Sequence, residues 1–222
     1  MAQTEEYPAY LDEMEIGDER RFRQRIEELQ TELHELEKAL EEARRSKRVL
    51  FVKGADLDRE VARFLAEDLG VGAREDGRPA GFRLTDGDAD WCFGSVISSD
   101  DGNVTKGHLA RMVLEREEAG QPEDGPAMLI ANTYRDGRTL AERDEPVPAD
   151  VVKRAGEDHV VILRTLDLLR LGQRAGNGFP AAEQLSEALR GGGGWFEVDA
   201  SLTAKLHGGS PSVSKPGAVA AA

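Results

Sequence analysis

The stretch that most constrains the fold is Trp91–Ile97, an uncharged run rich in aromatic and β-branched residues. Such a run predicts a strand that other elements cover on both faces of its sheet. The next residues, Ser98–Asn103, are turn formers, and a helix is predicted to begin at Thr105. A strand, a turn and a helix in this order are typical of an α/β fold, in which the helix packs back on the sheet.

The rest of the chain continues this alternation of strands and helices. The predicted strands are 49–52, 81–85, 91–97, 127–131, 159–163 and, as an edge strand, 195–198. The predicted helices are 57–70 with Asp56 as N-cap, 105–118, 149–155, 165–171 with Thr165 as N-cap, and 181–189. The turn formers Asp86-Gly87-Asp88 predict an antiparallel hairpin, whereas helices between later strands predict parallel crossovers. The expected fold is therefore an α/β sandwich with a mixed sheet.

A different pattern precedes this region. The apolar residues recur at alternating steps of four and three: Phe22, Ile26, Leu29, Leu33, Leu36, Leu40 and Ala43. This heptad spacing predicts one continuous helix from Phe22 to Arg45 that forms a coiled coil. A single amphipathic helix lying on its own domain remains the alternative.

The charges beside the heptad seam bear on how such a helix would pair. In a parallel homodimer, Glu32 at position g would face Glu37 at position e of the other copy, and this repulsion would weaken the pair. An antiparallel pair or a different partner helix therefore remains open.

Four segments follow from these patterns. Residues 1–18 are expected to be a flexible acidic lead-in, and residues 19–46 the coiled-coil helix. Residues 47–200 are expected to form the α/β domain. Residues 201–222, rich in Gly, Ser, Pro and Ala, are expected to be a disordered tail.

The composition excludes several classes of function. The formal net charge of −14 disfavours non-specific binding to DNA or to anionic membranes. No run approaches the roughly 18 apolar residues of a membrane span. The single cysteine, Cys92, excludes an intramolecular disulfide framework, suits a cytoplasmic protein, and is expected to be a packed, inert thiol.

Several short phrases, in this order, carry a resemblance to a known family. They are Arg48–Phe51, Ser98–Lys106, Leu129–Asp136, Ala141–Val147 and Ile162–Leu169. Together they resemble the restriction-endonuclease-like PD-(D/E)xK superfamily, in particular a prokaryotic branch of nuclease-like domains. The resemblance covers roughly residues 47–198 and implies a mixed-sheet core flanked by helices.

The resemblance also implies where catalytic groups would stand. Members of the family carry one acid on the strand equivalent to residues 81–85 and a Glu-x-Lys on the strand equivalent to 91–97. The two acids hold Mg²⁺, and the lysine helps to position or activate water. Here those positions hold Gly81, Ser95 and Ile97, none of which can replace the missing group.

This departure implies a catalytically inactive nuclease-like domain that needs no cofactor. Such a domain would serve as an interaction or assembly module in a nucleic-acid-related system, through a protein partner or self-association along residues 22–43. Phe93 and Ile97 are then expected to face a dry core.

Two other hypotheses remain open. One is an active Mg²⁺-dependent DNA endonuclease whose acids have migrated, for which Asp88, Asp90, Asp101 and Lys106 are the candidates. Turn-forming aspartates and a solvated helix-start lysine are the structural alternative for these residues. The other is a generic α/β ligand-binding domain, which a fully parallel sheet would favour.

The remaining polar groups give weaker signals. Asn132, Tyr134 and Arg135 follow a predicted strand and could form a polar or phosphate-facing rim, or simply a satisfied loop network. The four histidines lack metal-ligand spacing. The run 191–194 lacks the residues of a phosphate loop, so a linker is expected there.

Overall fold

The computed structural model describes residues 17–75, 81–87 and 89–208. The chain divides into two units at the Arg45–Ser46 bond. The described part of the first unit is one helix, and the second unit is an α/β domain. Among the described helices, none combines the length and the apolar character that a membrane span requires.

Helix α1 (Gly17–Arg45) confirms the prediction of one continuous helix in the first unit. Acidic residues occupy its first turn and Arg44 and Arg45 its last, the distribution that the helix dipole favours. Its heptad residues form an apolar stripe, 47–61% exposed: Phe22, Ile26, Leu29, Leu33, Leu36 and Leu40. This set is called the apolar stripe below.

The second unit begins with a 3₁₀-helix, Ser46–Leu50. Its α-helices are α2 (Ala55–Arg63, continued by the π-helical turn Phe64–Asp68), α3 (Lys106–Glu118), α4 (Leu140–Arg143), α5 (Ala149–Glu157), α6 (Thr165–Gly176) and α7 (Ala181–Arg190). Its strands are β1 (Ala73–Glu75), β2 (Gly81–Asp86), β3 (Ala89–Ser98), β4 (Ala127–Asn132), β5 (Val160–Arg164), β6 (Gly194–Val198) and β7 (Ala204–His207).

The seven described strands form one sheet in chain order from β1 to β7. Pairs β1–β2 and β2–β3 are antiparallel, β3 through β6 are parallel, and β6–β7 is antiparallel. Antiparallel neighbours are separated by short stretches of sequence, and the parallel neighbours by stretches that contain crossover helices. The predicted α/β fold with a mixed sheet is confirmed, and the fully parallel sheet that would have favoured a generic ligand-binding domain is not observed among these strands.

Helices cover both faces of the sheet, so the central strands carry apolar residues on both sides. Along β4, Met128 and Ile130 pack into the core beneath α2, α6 and α7. Leu129 and Ala131 point the other way, into the core beneath α3 and α5. The uncharged runs of the sequence are thus the central strands, which lie between two apolar cores.

Near the start of the domain, the predicted strand 49–52 is wrong. Val49 is buried within the 3₁₀-helix, and the amides of Phe51 and Val52 donate to the carbonyl of Arg48. These local bonds replace strand pairing, so an apolar run formed a turn. Strand β1 was missed because Ala-Arg-Glu has no strand pattern, and Asp56 lies inside the first turn of α2, whose N-cap is Gly54.

At the other end, the predicted edge strand and tail need correction. Strand β6 is not an edge, because β7 (Ala204–His207) pairs with it. The domain therefore continues beyond residue 200 into the segment predicted as a disordered tail. His207 stacks on Trp195 and bonds Glu197 at 2.7 Å, contacts that fix β7 on β6. Residues 1–16 and 209–222 lie outside the described residues, so the predicted lead-in is described only at residues 17–18.

A buried carboxylate joins β5, α6 and β6. Asp167 is fully buried and accepts two hydrogen bonds from Arg164, at 2.6 and 2.8 Å. It also accepts from the indole of Trp195 at 3.1 Å and from the amide of Val198 at 3.2 Å. Thr165, predicted as the N-cap of this helix, is instead its first residue, and Arg164 is the N-cap.

We predict that Asp167→Asn destabilises the domain by about 3–5 kcal/mol, because it leaves the buried guanidinium of Arg164 without its main counter-charge. Urea denaturation followed by circular dichroism would measure the loss. Asp136→Asn, which removes a carboxylate that is 71% exposed, is the matched control and should cost less than about 0.5 kcal/mol. A loss below about 1 kcal/mol for Asp167→Asn would contradict the prediction.

Candidate functional site

The structure brings the three motif positions of β2 and β3 together. Gly81 of β2 pairs directly with Ser95 of β3, so these two residues share one face of the sheet. Ile97 follows two residues later in β3 and lies on the same face. An acid and a Glu-x-Lys at these positions would therefore converge, but the residues present bring no carboxylate and no amine.

A carboxylate reaches this face from α3 instead. The hydroxyl of Ser95, which is buried, donates to Oε2 of Glu115 at 2.8 Å. Nε of Arg111 donates to the other oxygen of Glu115 at 2.7 Å. Glu115 was missed by sequence reasoning. Its position in α3 could have identified it, because Glu115 lies three residues after the buried Met112 and therefore on the helix face toward the sheet.

Apolar groups complete this part of the site. Phe93 is buried as predicted, and the guanidinium of Arg83 lies 4.8 Å from the centre of its ring. Ile97 packs against the core beneath α3 and α5 but is only partly buried, so the expected dry environment holds for Phe93 more fully than for Ile97.

Two of the aspartates that an active nuclease with migrated acids could use, Asp90 and Asp101, lie at opposite ends of β3. Asp90, near its beginning, forms a salt bridge with Arg74 at 2.6 Å, and this hydrogen bond lowers the pKa of Asp90. Asp101 lies beyond the other end, in an exposed turn. Asp90 and Ser98 alone are separated by about 26 Å at the usual rise of a strand, so Asp90 and Asp101 cannot share a metal ion. Asp88 lies outside the described residues.

Lys106 begins α3 and pairs with Asp150 of α5 at 2.9 Å. Both side chains are more than half exposed. The hydrogen bond from Lys106 lowers the pKa of Asp150. Lys106 therefore links two helices at the surface, and its ammonium is not directed at the three motif positions.

Of the three rim residues, Asn132 is part of an internal network. Its side-chain amide donates to the carbonyls of Leu50 and Val52, and its oxygen accepts from Arg143 and Thr165. Asn132 is buried, so these bonds satisfy it inside the protein. The network ties the 3₁₀-helix at the start of the domain to the end of β4.

Tyr134 and Arg135 belong to the loop that follows β4. Their backbone amides donate to the carbonyls of Gly102 and Ser99, which joins this loop to the one after β3. The guanidinium of Arg135 pairs with Asp100. Tyr134 has a φ of 47°, a conformation that side-chain-bearing residues seldom adopt.

An open acidic cleft of about 460 Å³ lies beside these two loops and α4. It is lined by Tyr134, Gly137 and five carboxylate residues: Asp100, Asp101, Asp136, Glu142 and Glu145. Arg135 neutralises only part of this charge, so the cleft repels phosphate rather than attracting it. Within the described residues, no three His, Cys, Asp or Glu side chains are grouped so that they could hold a metal ion.

A second cleft, of about 660 Å³, lies where β5 and β6 begin. Gly191, Gly192 and Gly193 line it together with His159, Lys153 and Arg190. The predicted glycine linker is thus the loop that connects α7 to β6. This cleft contains none of the motif positions.

His108 has a structural role beside the site. Its Nδ1 accepts from the amide of Thr105, and its own amide donates to the Thr105 hydroxyl, so the two residues form a capping box for α3. Nδ1 can accept this bond only when the imidazole is neutral. Burial, and then the nearby Arg111, lower the pKa of His108.

This cap predicts a pH dependence of stability. Because the pKa of His108 is lower in the folded protein, its contribution is complete above the unfolded value of about 6.5 and is lost as the pH falls through the folded value. Between pH 7 and pH 5, wild-type protein should lose about 0.5–1 kcal/mol relative to His108→Gln, whose amide can cap without titrating. Parallel pH profiles of unfolding free energy for the two proteins would contradict this.

No family model, curated protein or solved structure matches this chain. Its functional interpretation therefore depends on the geometry described above: the positions Gly81, Ser95 and Ile97 on β2 and β3, an acidic cleft, and the apolar stripe of α1.

Proposed function

We propose that this chain is a catalytically inactive, restriction-endonuclease-like domain that acts as an interaction or assembly module in a nucleic-acid-related system. The observation that carries the assembly role is the apolar stripe of α1, whose side chains are 47–61% exposed. The observation that carries the loss of activity is the combination of glycine, serine and isoleucine at the motif positions.

The order of elements supports the nuclease-like fold. The resemblance is to domains in which a helix is followed by antiparallel strands, a second helix and a parallel strand. Elements α2, β1–β3, α3 and β4 follow this order, and β4 is parallel to β3. Helices α2 and α3 pack on opposite faces of the sheet.

The chemistry of the motif positions supports inactivity. A Mg²⁺ ion that catalyses hydrolysis is held by carboxylates and by several waters, and a lysine stabilises the reacting groups. Glu115 is the carboxylate that reaches Ser95, and it is already held by Ser95 and Arg111. A single neutralised carboxylate is a poor ligand set for a hard divalent cation.

The composition of α1 supports assembly. Contiguous exposed apolar surface marks protein–protein contact sites, and the full burial of each leucine is worth about 1.5–3 kcal/mol. The stripe has the heptad spacing that a second helix would cover. Glu, Gln, Arg and Lys predominate around the rest of the helix, which suits contact with water.

We expect no cleavage of duplex or single-stranded DNA in the presence of Mg²⁺ or Mn²⁺. The loss of one electrostatic catalytic group typically lowers the rate about 10²–10³-fold, and here two carboxylates and a lysine are replaced. A gel assay with a chelator control would test this. Restoring the motif with Gly81→Asp, Ser95→Glu and Ile97→Lys is the gain-of-function comparison, with circular dichroism confirming that the variant folds.

An active nuclease with migrated acids is the second candidate, and the position of Glu115 is the observation that favours it. Glu115 places a carboxylate 2.8 Å from Ser95, where the family has an acid. Chelator-sensitive cleavage by the wild type, abolished by Glu115→Gln and unaffected by Asp90→Asn, would establish this candidate and overturn the inactive domain.

The assembly role predicts the effect of charge in the apolar stripe. Leu33→Glu with Leu36→Glu should reduce the mass measured by multi-angle light scattering to that of a monomer, because two charges per chain cannot be buried in the seam. Gln24→Glu with Thr31→Glu adds the same charge on the opposite face and should leave the mass unchanged. An oligomer that survives Leu33→Glu with Leu36→Glu would show that α1 does not mediate assembly.

A further inference from the structure

The apolar stripe fits a second copy of α1, and its flanking charges distinguish the possible orientations. In the heptad, Ile26, Leu33 and Leu40 occupy a, and Phe22, Leu29 and Leu36 occupy d. The flanking e positions are Arg23, Gln30, Glu37 and Arg44, and the g positions are Asp18, Arg25, Glu32 and Ala39. Facing e and g residues set the orientation of a coiled coil.

We propose that two copies of this chain pair through α1 as an antiparallel coiled coil, in a register that places Leu33 of each helix opposite Leu29 of the other. This inference rests on the assembly role proposed above and names its partner and geometry. In this register Ile26 lies opposite Leu36, and Leu40 opposite Phe22. Every residue of the apolar stripe is then covered.

The charges favour this arrangement. At the e positions Arg23 of each helix faces Glu37 of the other, which gives two attractive pairs, and Gln30 faces its own copy at the two-fold axis. At the g positions Glu32 meets its own copy once, the single repulsive contact. Arg23 bonds Glu19 of its own helix at 2.8 Å, and a guanidinium can serve more than one carboxylate, so this bond is compatible with the pairing.

The parallel in-register pair is less favourable. Its two attractive contacts, Asp18 with Arg23, are offset by two repulsive contacts, Glu32 with Glu37. The antiparallel pair therefore has one repulsive contact where the parallel pair has two, with the same number of attractions.

Neighbouring antiparallel registers are also less favourable. A shift of one heptad in one direction faces Arg23 with Arg44 twice. The opposite shift brings Glu19 against Leu36 and leaves part of the apolar stripe uncovered. The proposed register alone combines full coverage of the stripe with attractive e pairs.

Orientation has a geometric consequence that can be measured. In the proposed register, the Arg45 residues of the two helices are separated by 28 residues along the axis, or about 42 Å at 1.5 Å per residue. In a parallel pair they lie side by side, within about 20 Å across a pair of helices, each about 10 Å wide. Spin labels on Arg45→Cys in the full-length chain would distinguish the two, and wild-type protein gives the background, since Cys92 is buried.

Glu37→Arg provides an independent test, because it has opposite effects in the two orientations. In the antiparallel pair it replaces both Arg23–Glu37 attractions with repulsion and should weaken dimerisation about tenfold. In a parallel pair it would relieve the Glu32–Glu37 repulsion and strengthen dimerisation. Adding Arg23→Glu should restore the antiparallel affinity, and Glu35→Arg at position c, with the same charge change, should leave it unaltered.

The expected result is a dimer by light scattering, a label separation near 42 Å, and weakening by Glu37→Arg that Arg23→Glu reverses. A dimer with a separation near 20 Å, strengthened by Glu37→Arg, would overturn the antiparallel geometry and leave the assembly role intact. A monomer at all concentrations would overturn self-association itself, and a trimer or tetramer would overturn the proposed pair.

Discussion

The buried carboxylate of Asp167 is the contact on which the second half of the domain depends. From α6 it accepts hydrogen bonds from donors on both β5 and β6, and the guanidinium of Arg164 also lies 4.7 Å from the centre of the Trp195 ring. Arg164 extends this network to Asp144. Burial by itself would raise the pKa of Asp144, but Arg170 and Arg164 outweigh it, so the pKa of Asp144 is lowered. Arg164 also donates to the carbonyl of Glu145, so the segment between α4 and α5 is anchored, and with it one residue of the acidic cleft.

On β2 and β3, the positions at which the proposed resemblance would place metal-binding groups are part of the packing. The hydroxyl of Ser95 donates to Glu115, and Ile97 makes an apolar contact with the core. Arg111 neutralises Glu115. The same backbone geometry that could gather acids around a cation here gathers a serine, a glutamate and an arginine, which satisfy one another.

Helix α1 differs from the domain in the exposure of its apolar residues. The domain buries its apolar runs between helices and sheet, whereas the heptad residues of α1 are about half exposed. Intrahelical pairs such as Arg23–Glu19 and Arg25–Glu28 stabilise the helix only weakly. Covering the apolar stripe would contribute a larger free energy than these pairs, and this difference is the physical basis of the assembly role proposed above.

The sequence by itself determined the elements with strong periodicity: the continuous helix α1, the strands β2 to β6 apart from the edge position given to β6, and the hairpin between β2 and β3. Alternation along a strand also places Ser95 and Ile97 on one face, whereas the pairing of Gly81 with Ser95 is a matter of register that the tertiary structure decided. Tertiary structure decided the rest. The short strands β1 and β7 have too few apolar residues to be recognised, and they form because a neighbouring strand supplies their hydrogen bonds. The apolar run at Val49 instead forms a 3₁₀-helix, in which nearby amides donate to the backbone carbonyl of Arg48. The bond between Glu115 and Ser95, and the burial of Asn132 in an internal network rather than at a rim, depend on contacts between residues far apart in the chain. No local sequence pattern encodes such contacts.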